Sequence, residues 1–416
     1  MSDALAISSD PVAPHDLRAS LMRAERRQRL VAFGLAAPLV LFLVVIFVVP
    51  IFQMLMAAWI DRSVIDAMPR TSSIIHQWDR QELPSEEIYE AIALDLKDAQ
   101  SSRALAVPAR RLNQEVTGFR TLILGTARDL PDDAPPSWRD TLIEADKRWG
   151  EATYLVTLQR AARPATDYYM LYALDLKRDL DDSIVRQPPQ ERLYLTLIGR
   201  TLGIALSVTL ICLVLGYPVA FLLTRVEGPA RNILLILVLL PFWTSLLVRT
   251  AAWIVVLQSE GIVNNALIAL GIIAEPVRLI YNRLGVLIVM SQVLLPFMIL
   301  PLYAVMGNIP PSHLRAAQSL GARPLFAFRK VYLPQTMPGI AAGTLLVFML
   351  SVGYYVTPAL VGGGSDQMLS YFIAFYATET INWGLAAALG TILMAIVLVL
   401  FVLYNRLFGL KQAAVR

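Results

Sequence analysis

Few residues in this chain could make or break bonds. Cys212 is the only cysteine in 416 residues and lies inside an apolar run, which leaves no disulfide framework and no cysteine metal site. No Gly-x-x-x-x-Gly-Lys-Ser/Thr loop occurs, so the chain carries no phosphate cradle with which to hydrolyse ATP, and Gly362-Gly363-Gly364 is too short a turn to replace one. His76 stands alone, away from any His, Cys or carboxylate grouping with metal spacing, and reads as ordinary surface. The sequence therefore predicts no catalytic residue, no metal and no bound cofactor. What remains is chemistry of contact. Arg249, Trp243, Trp253 and Tyr354 fall in or beside apolar runs, where aromatic faces could pass a cation along by cation–π attraction. The same rings suit an interfacial belt. Arg249 is either a snorkelling side chain or one that faces a cavity; Arg200, near the start of its run, is expected to snorkel.

The second candidate is the stretch 308–338, NIPPSHLRAAQSLGARPLFAFRKVYLPQTMP, which has four basic residues and no acidic one. It reads as two short helices. Ser312 is predicted as N-cap after Pro310 and Pro311, with the helix over 313–320, Gly321 as a left-handed stop and Pro324 opening the next turn. So short a helix does not persist alone, because nucleation costs more than two turns of hydrogen bonds return. A partner that packs on it is the simplest remedy.

The elements that position these residues are membrane helices. The chain is 56% hydrophobic and 16% charged, with a mean hydropathy of +0.57, outside the usual range of soluble globular domains. Six runs are long enough to cross a hydrocarbon core, at about 20 residues each: 31–58, 197–223, 233–257, 284–307, 339–361 and 385–408. The first is too long for a signal-peptide core and lacks a small-residue cleavage site, so it is predicted to be retained. None of the six contains Asp or Glu, which argues against proton coupling through an intramembrane acid. Pro218, Pro241, Pro296, Pro301 and Pro358 sit in or near them; such prolines kink helices and free carbonyls, and are also simply common in membrane spans. The net charge of +4 is no nucleic-acid signature, because the basic residues flank the apolar runs.

Their distribution orients the chain by the positive-inside rule. Arg18, Arg23, Arg26, Arg27 and Arg29 precede the first run, Arg225 and Arg231 join the second to the third, and Arg315, Arg323, Arg329 and Lys330 join the fourth to the fifth. Arg406, Lys411 and Arg416 close the chain. On the other face, Arg278 and Arg283 are balanced by Glu260 and Glu275, and Asp366 and Glu379 have no basic neighbour. Both termini, the tails 1–30 and 409–416, are expected in the cytoplasm. A soluble-type insert, 61–192, is then extracytoplasmic. Its patterns predict about four helices, one capped by Ser85 before Ile88, another within 138–160, with prolines as punctuation. Leu94-Asp95-Leu96-Lys97 recurs as Leu174-Asp175-Leu176-Lys177, a repeat short enough to arise by chance. The insert reads as either a docking or sensing domain or an elaboration packed on the membrane face.

The residues from 197 onward carry a resemblance. Ala316-Ala317-x-x-x-Gly321-Ala322, followed by Phe328 and Leu333-Pro334, resembles the cytoplasmic signature loop of binding-protein-dependent ABC permeases. Arg249-Thr250-Ala251-Ala252-Trp253, Gly261-Ile262-Val263-Asn264, the segment 295–303 (LPFMILPLY) and the triple glycine are similar to the spermidine/putrescine branch. The resemblance implies an all-α inner-membrane protein of six spans, a five-helix permease core over 197–408, and a coupling helix that enters a groove of a separate ATP-hydrolysing subunit. Ser312, His313, Leu314, Arg315, Ala316, Ala317, Gln318 and Gly321 would make that contact, with Ala322, Phe328, Leu333 and Pro334 behind it. The implied partners are ABC ATPase subunits, a second permease subunit and a periplasmic solute-binding protein, in membrane lipid; ATP would be hydrolysed by the partner. Polyamine is the implied solute, and the outer acids Glu260, Glu275, Asp366 and Glu379 would favour a cation. Where the family usually has Glu, this chain has Arg315; that change loses a capping box with Ser312 and opposes the helix dipole, together about 1 kcal/mol. The insert exceeds the family's usual first outer loop. Two other readings of the same residues are a membrane receptor that senses a ligand through the insert and a sodium-coupled secondary transporter.

Overall fold

The computed structural model describes Gln28 and residues 31–406. Arg18, Arg23, Arg26, Arg27, Arg29, Lys411 and Arg416 lie outside the described residues. Among the described residues, six helices are long and apolar enough to cross a membrane: Val31–Met56, Tyr194–Leu223, Leu246–Ala269, Arg283–Met306, Pro324–Val352 and Trp383–Tyr404. The chain divides after Met56 into two units. The first contains Val31–Met56, whose apolar side chains stand exposed as lipid contact demands, with a π-helical turn at Val44–Val48.

The remaining five spans agree with the hydropathy runs, except where two of the runs are broken. The run 233–257 is not one helix. Pro241 cannot donate to the ladder and its ring crowds the carbonyl one turn back, so Pro229–Leu239 tightens into a 3-10 turn at Leu240–Trp243 and ends. A new helix, Leu246–Leu257, starts behind Ser245, whose hydroxyl accepts from Val248 N–H at 3.2 Å. A further break precedes Ile262–Ala269. The run 339–361 is likewise divided: its helix reaches back to Pro324 and stops at Val352, and Val356–Val361 is separate.

The central helix core is built by Tyr194–Leu223, Arg283–Met306 and Leu333–Val352, which bury Val208, Cys212, Met290, Met298, Leu302 and Val347 between them. Small residues let these helices approach, as expected where lipid gives no hydrophobic drive to association. A β-carbon on Gly216 would stand 3.1 Å from Met298 Cγ, and one on Gly343 2.8 Å from its Sδ, so Met298 fills a notch cut by glycines of two other helices.

Residues 61–192 form eight short α-helices rather than four, plus an antiparallel hairpin, Leu176–Arg178 with Ile184–Arg186, that the sequence did not suggest. Two of the additional breaks come where the backbone turns left-handed, at Arg103 and Gly118, positions without a proline. Ser85 is the N-cap of Glu86–Ser101 as predicted, although its side chain makes no capping bond. Trp149, Tyr89, Phe119, Ile92 and Leu122 fill a core of the insert's own. Trp149 Nε1 donates to Thr126 Oγ1 at 2.8 Å and the Tyr89 hydroxyl to Trp149 O at 2.9 Å, so its polar atoms are satisfied. The Leu-Asp-Leu-Lys pair is no structural repeat: the first copy is inside Glu86–Ser101, the second turns into the hairpin.

The second copy nevertheless has a task. Asp175 is 3% exposed, and its carboxylate accepts from the N–H groups of Leu193 and Tyr194 at 3.0 and 2.9 Å and of Leu195 at 2.9 Å. It thereby closes the N-terminus of Tyr194–Leu223, where orphan donors and the helix dipole both favour an anion. Nearby, Tyr169 lies over Gly384, where a β-carbon would stand 2.3 Å from the ring, and its hydroxyl donates to Asp61 Oδ2 at 2.8 Å. Asp61 also pairs with the buried Arg111 at 2.7 Å, and Arg111 with Glu115 at 3.0 Å. Burial works to raise the Asp61 carboxyl, but the Arg111 guanidinium and the hydrogen bonds from Ser63 and Tyr169 hold it below the usual carboxylate range.

Candidate functional site

The 308–338 segment folds as a short helix, a reversal and a long helix. The short helix is Pro311–Ser319, starting two residues earlier than the sequence predicts. Pro311 occupies its first position, suited by a fixed φ and a missing donor, and Pro310 is the N-cap, with no side-chain capping bond. Ser312 is thus inside the helix and caps nothing, which also overturns the capping-box cost assigned to Arg315: no residue at 315 could complete a box with Ser312.

The C-terminal prediction holds in detail. Gly321 has φ +86°, Gly321 N–H donates to Gln318 O at 2.9 Å and Ala322 N–H to Ala317 O at 3.1 Å. These are the two reverse bonds of a Schellman motif, which satisfy carbonyls that a helix end otherwise leaves free. No residue of Pro311–Ser319 is buried. Leu314 and Phe328 lean on the central helix core, and His313 Nδ1 lies 2.9 Å from Gln335 Oε1, a hydrogen bond that ties the short helix to the long one. Ser312, Arg315, Ala316 and Gln318 face outward, Ala317 and Ala322 are half-buried, Leu333 is half-buried and Pro334 exposed.

Three apolar side chains missed by the motif complete this surface: Leu320 is 90% exposed, Leu325 78% and Phe326 58%. Leu320 and Phe326, with Ala317, Gly321, Ala322, Arg323 and Val331, line an open hollow of 560 Å³. The only signal for them in the sequence is an apolar residue on each side of a Gly-Ala-Arg-Pro turn. Behind the hollow the backbone makes a π-helical turn at Phe328–Tyr332, and Phe328, Tyr332, Tyr217 and Phe221 pack ring against ring at 5.4–6.3 Å. Arg225 covers Phe221 at 4.8 Å. This aromatic group holds the turn to the last residues of Tyr194–Leu223, while Asp175 holds the first. At 1.5 Å per residue that helix sets the two about 45 Å apart, so the insert and the 308–338 turn are at opposite ends of the bundle.

The four pathway candidates divide. Trp253 and Tyr354 pack on one cluster around Val289, Val293 and Val361, and Trp253 Nε1 donates to Gln292 Oε1 at 3.2 Å. Trp243 is 81% exposed at the break in the third run. Arg249 bonds locally: its guanidinium donates to Pro241 O and to Thr244 O, the latter at 2.9 Å, and its Nε to Thr244 Oγ1 at 3.2 Å. It is the cap for carbonyls that the break sets free. Arg200 donates to Gln367 O at 3.3 Å. Of the four acids expected on the outer face, Asp366 is buried and paired with Arg283 at 3.1 Å, so it is committed to the fold; Glu260, Glu275 and Glu379 remain exposed. No group of three or more His, Cys, Asp or Glu able to hold a metal occurs among the described residues.

Residues 212–409 match the family described as the binding-protein-dependent transport system inner membrane component. The spermidine/putrescine transport system permease protein PotB of Haemophilus influenzae is 38% identical over 222 residues, 53% of this chain and 78% of that protein. PotB of Escherichia coli is 36% identical over 222 residues, covering 53% of this chain and 81% of its own length. Among solved structures, a bacterial ABC transporter involved in the import of the acidic polysaccharide alginate is similar at a TM-score of 0.45 and 16% identity, covering 76% of this chain and 96% of the other.

Proposed function

On the premise that this chain belongs to the binding-protein-dependent transport system inner membrane components, as a permease subunit of an ABC importer, we propose that its solute is a polyamine. We propose also that Pro311–Ser319 is the element through which a separate ATPase subunit drives it. One observation carries the coupling reading. A two-turn helix with no buried residue is held in place at both ends, by His313–Gln335 and by Gly321, and presents Leu320, Leu325 and Phe326 to its surroundings. Exposed apolar side chains grouped on a basic turn are what a partner covers. The sequence lacks a phosphate loop, so ATP is bound and hydrolysed on that partner.

The charge bias supports a topology with the 308–338 turn and both termini in the cytoplasm and the insert outside. The position of these two features at opposite ends of Tyr194–Leu223 supports that assignment. A second permease subunit and a periplasmic binding protein complete the assembly. The polyamine reading rests on likeness to the PotB proteins, with Glu260, Glu275 and Glu379 as the outer acids still free to attract a cation.

The experiment is reconstitution in proteoliposomes with the partner permease, ATPase and binding protein, followed by uptake of labelled spermidine. Uptake should require ATP and loaded binding protein and should be competed by putrescine. ATP-driven uptake of another solute with none of spermidine would retain the importer and reject the polyamine.

A further inference from the structure

A cavity of 470 Å³ opens in the insert, between the helices Ala152–Ala161 and Tyr168–Tyr172 and the hairpin. This is the size range of small-molecule sites. Six cations line it. Arg80 and Arg160 share one carboxylate, Asp182, at 2.8 Å each. Arg178 has Asp167 at 2.6 Å, and Arg111 has Glu115 with Asp61 behind it. Arg163 and Lys177 complete the lining, are exposed, and have no ion-pair partner among the described residues. Three lining acids against six bases leave a surplus of three positive charges, or two if Asp61 is counted.

Such convergence costs self-repulsion unless an anion enters, and a concave wall concentrates the field that draws one. The Arg163 guanidinium suits a planar or tetrahedral oxyanion, since its fork bonds two oxygens at once, and Lys177 adds a second cation not held by a carboxylate. Trp59, Tyr168 and Leu171 add apolar lining beside the cations, and Trp59 is 42% exposed. A bare inorganic ion would leave that apolar lining wet. We propose that this cavity binds a small organic anion carrying two or more carboxylate or phosphate charges. The proposal rests on the insert alone and not on the polyamine reading, since a polycation would be repelled here.

The test is calorimetric titration of the purified full chain in detergent with citrate and with 3-phosphoglycerate, against glycerol and spermidine. At least one of the two anions should bind saturably and more weakly as salt is raised, whereas glycerol and spermidine should not compete. Arg163→Ala combined with Lys177→Ala should weaken that binding at least fivefold. Both side chains are exposed and unpaired, so the unfolding temperature should not move. Lys177→Arg, which keeps the charge, should retain affinity. Absence of saturable binding by both anions at millimolar concentration would overturn the proposal, as would equal affinity in the double variant or displacement by spermidine.

Discussion

Replacing Gly321 separates coupling from folding, and the structure sets the size of the effect. Gly321 stands at φ +86° and nothing lies within 4 Å of where its β-carbon would be, so a side chain there meets no neighbour and the whole cost is in the backbone. An L-residue in that region costs about 1–2 kcal/mol, and a β-branched one is a strong outlier. If the substituted valine instead relaxes to a right-handed conformation, the two reverse bonds from the N–H groups of positions 321 and 322 go, at about 0.5–1.5 kcal/mol each. Either route gives about 1–3 kcal/mol for Gly321→Val, which at its upper end leaves about one molecule in a hundred with the turn in its present shape, at 1.4 kcal/mol per factor of ten. Because Pro311–Ser319 buries no residue, protein level and membrane insertion should scarcely change. Uptake and binding-protein-stimulated ATP hydrolysis in the reconstituted complex should fall together, up to about a hundredfold. Gly321→Asn, which tolerates the left-handed region, should keep most of both. Full uptake by Gly321→Val, or equal loss in the Asn and Val variants, would refute the reasoning.

Gly384→Ala should drive a methyl group into the Tyr169 ring and cost about 1–3 kcal/mol by overpacking, seen as earlier proteolysis of the insert on heating; an unchanged profile would mean the ring is free to move. Asp61→Asn should destabilise the insert by about 1–3 kcal/mol at neutral pH, because the buried Arg111 then keeps only Glu115 as a carboxylate partner. The folded Asp61 carboxyl titrates below its unfolded value, so its contribution is complete above about pH 4 and disappears as pH falls further; the gap between wild type and variant, followed by chemical denaturation, should close there and persist at pH 7. Replacing residues 65–188 with a flexible linker should leave a membrane-inserted chain with a lower melting temperature, since Asp175 no longer caps Tyr194–Leu223; failure to insert would show that the insert belongs to the core fold.

Apolar length was legible because the bilayer imposes it: the runs 197–223, 284–307 and 385–408 each start within three residues of their helices. What hydropathy could not show is where an apolar helix stops inside the membrane. The break at 240–245 depends on Pro241 and on Ser245 acting as a cap, and the rescue of its carbonyls by Arg249 is a tertiary fact about a residue whose charge alone suggested snorkelling or a pathway. In the turn, Gly321 was readable because only glycine takes that φ without cost. Ser312 misled because Pro311 was free to start the helix one position before it, and residue preference at a cap is weaker than a fixed φ. The role of Asp175 was invisible, since its three partners are eighteen to twenty residues away across a hairpin the pattern did not reveal.

The central claim is that Pro311–Ser319 meets an ATPase subunit on the cytoplasmic face. Cys212 is fully buried, so Ala316→Cys supplies one accessible thiol on the outward side of that helix. A short thiol-anchored photo-crosslinker at residue 316 in the assembled complex should give an adduct with the ATPase subunit, formed in inside-out vesicles and not when the reagent is added outside intact spheroplasts. Labelling of residue 316 from the outer face, or an adduct with the binding protein in place of the ATPase, would contradict the account.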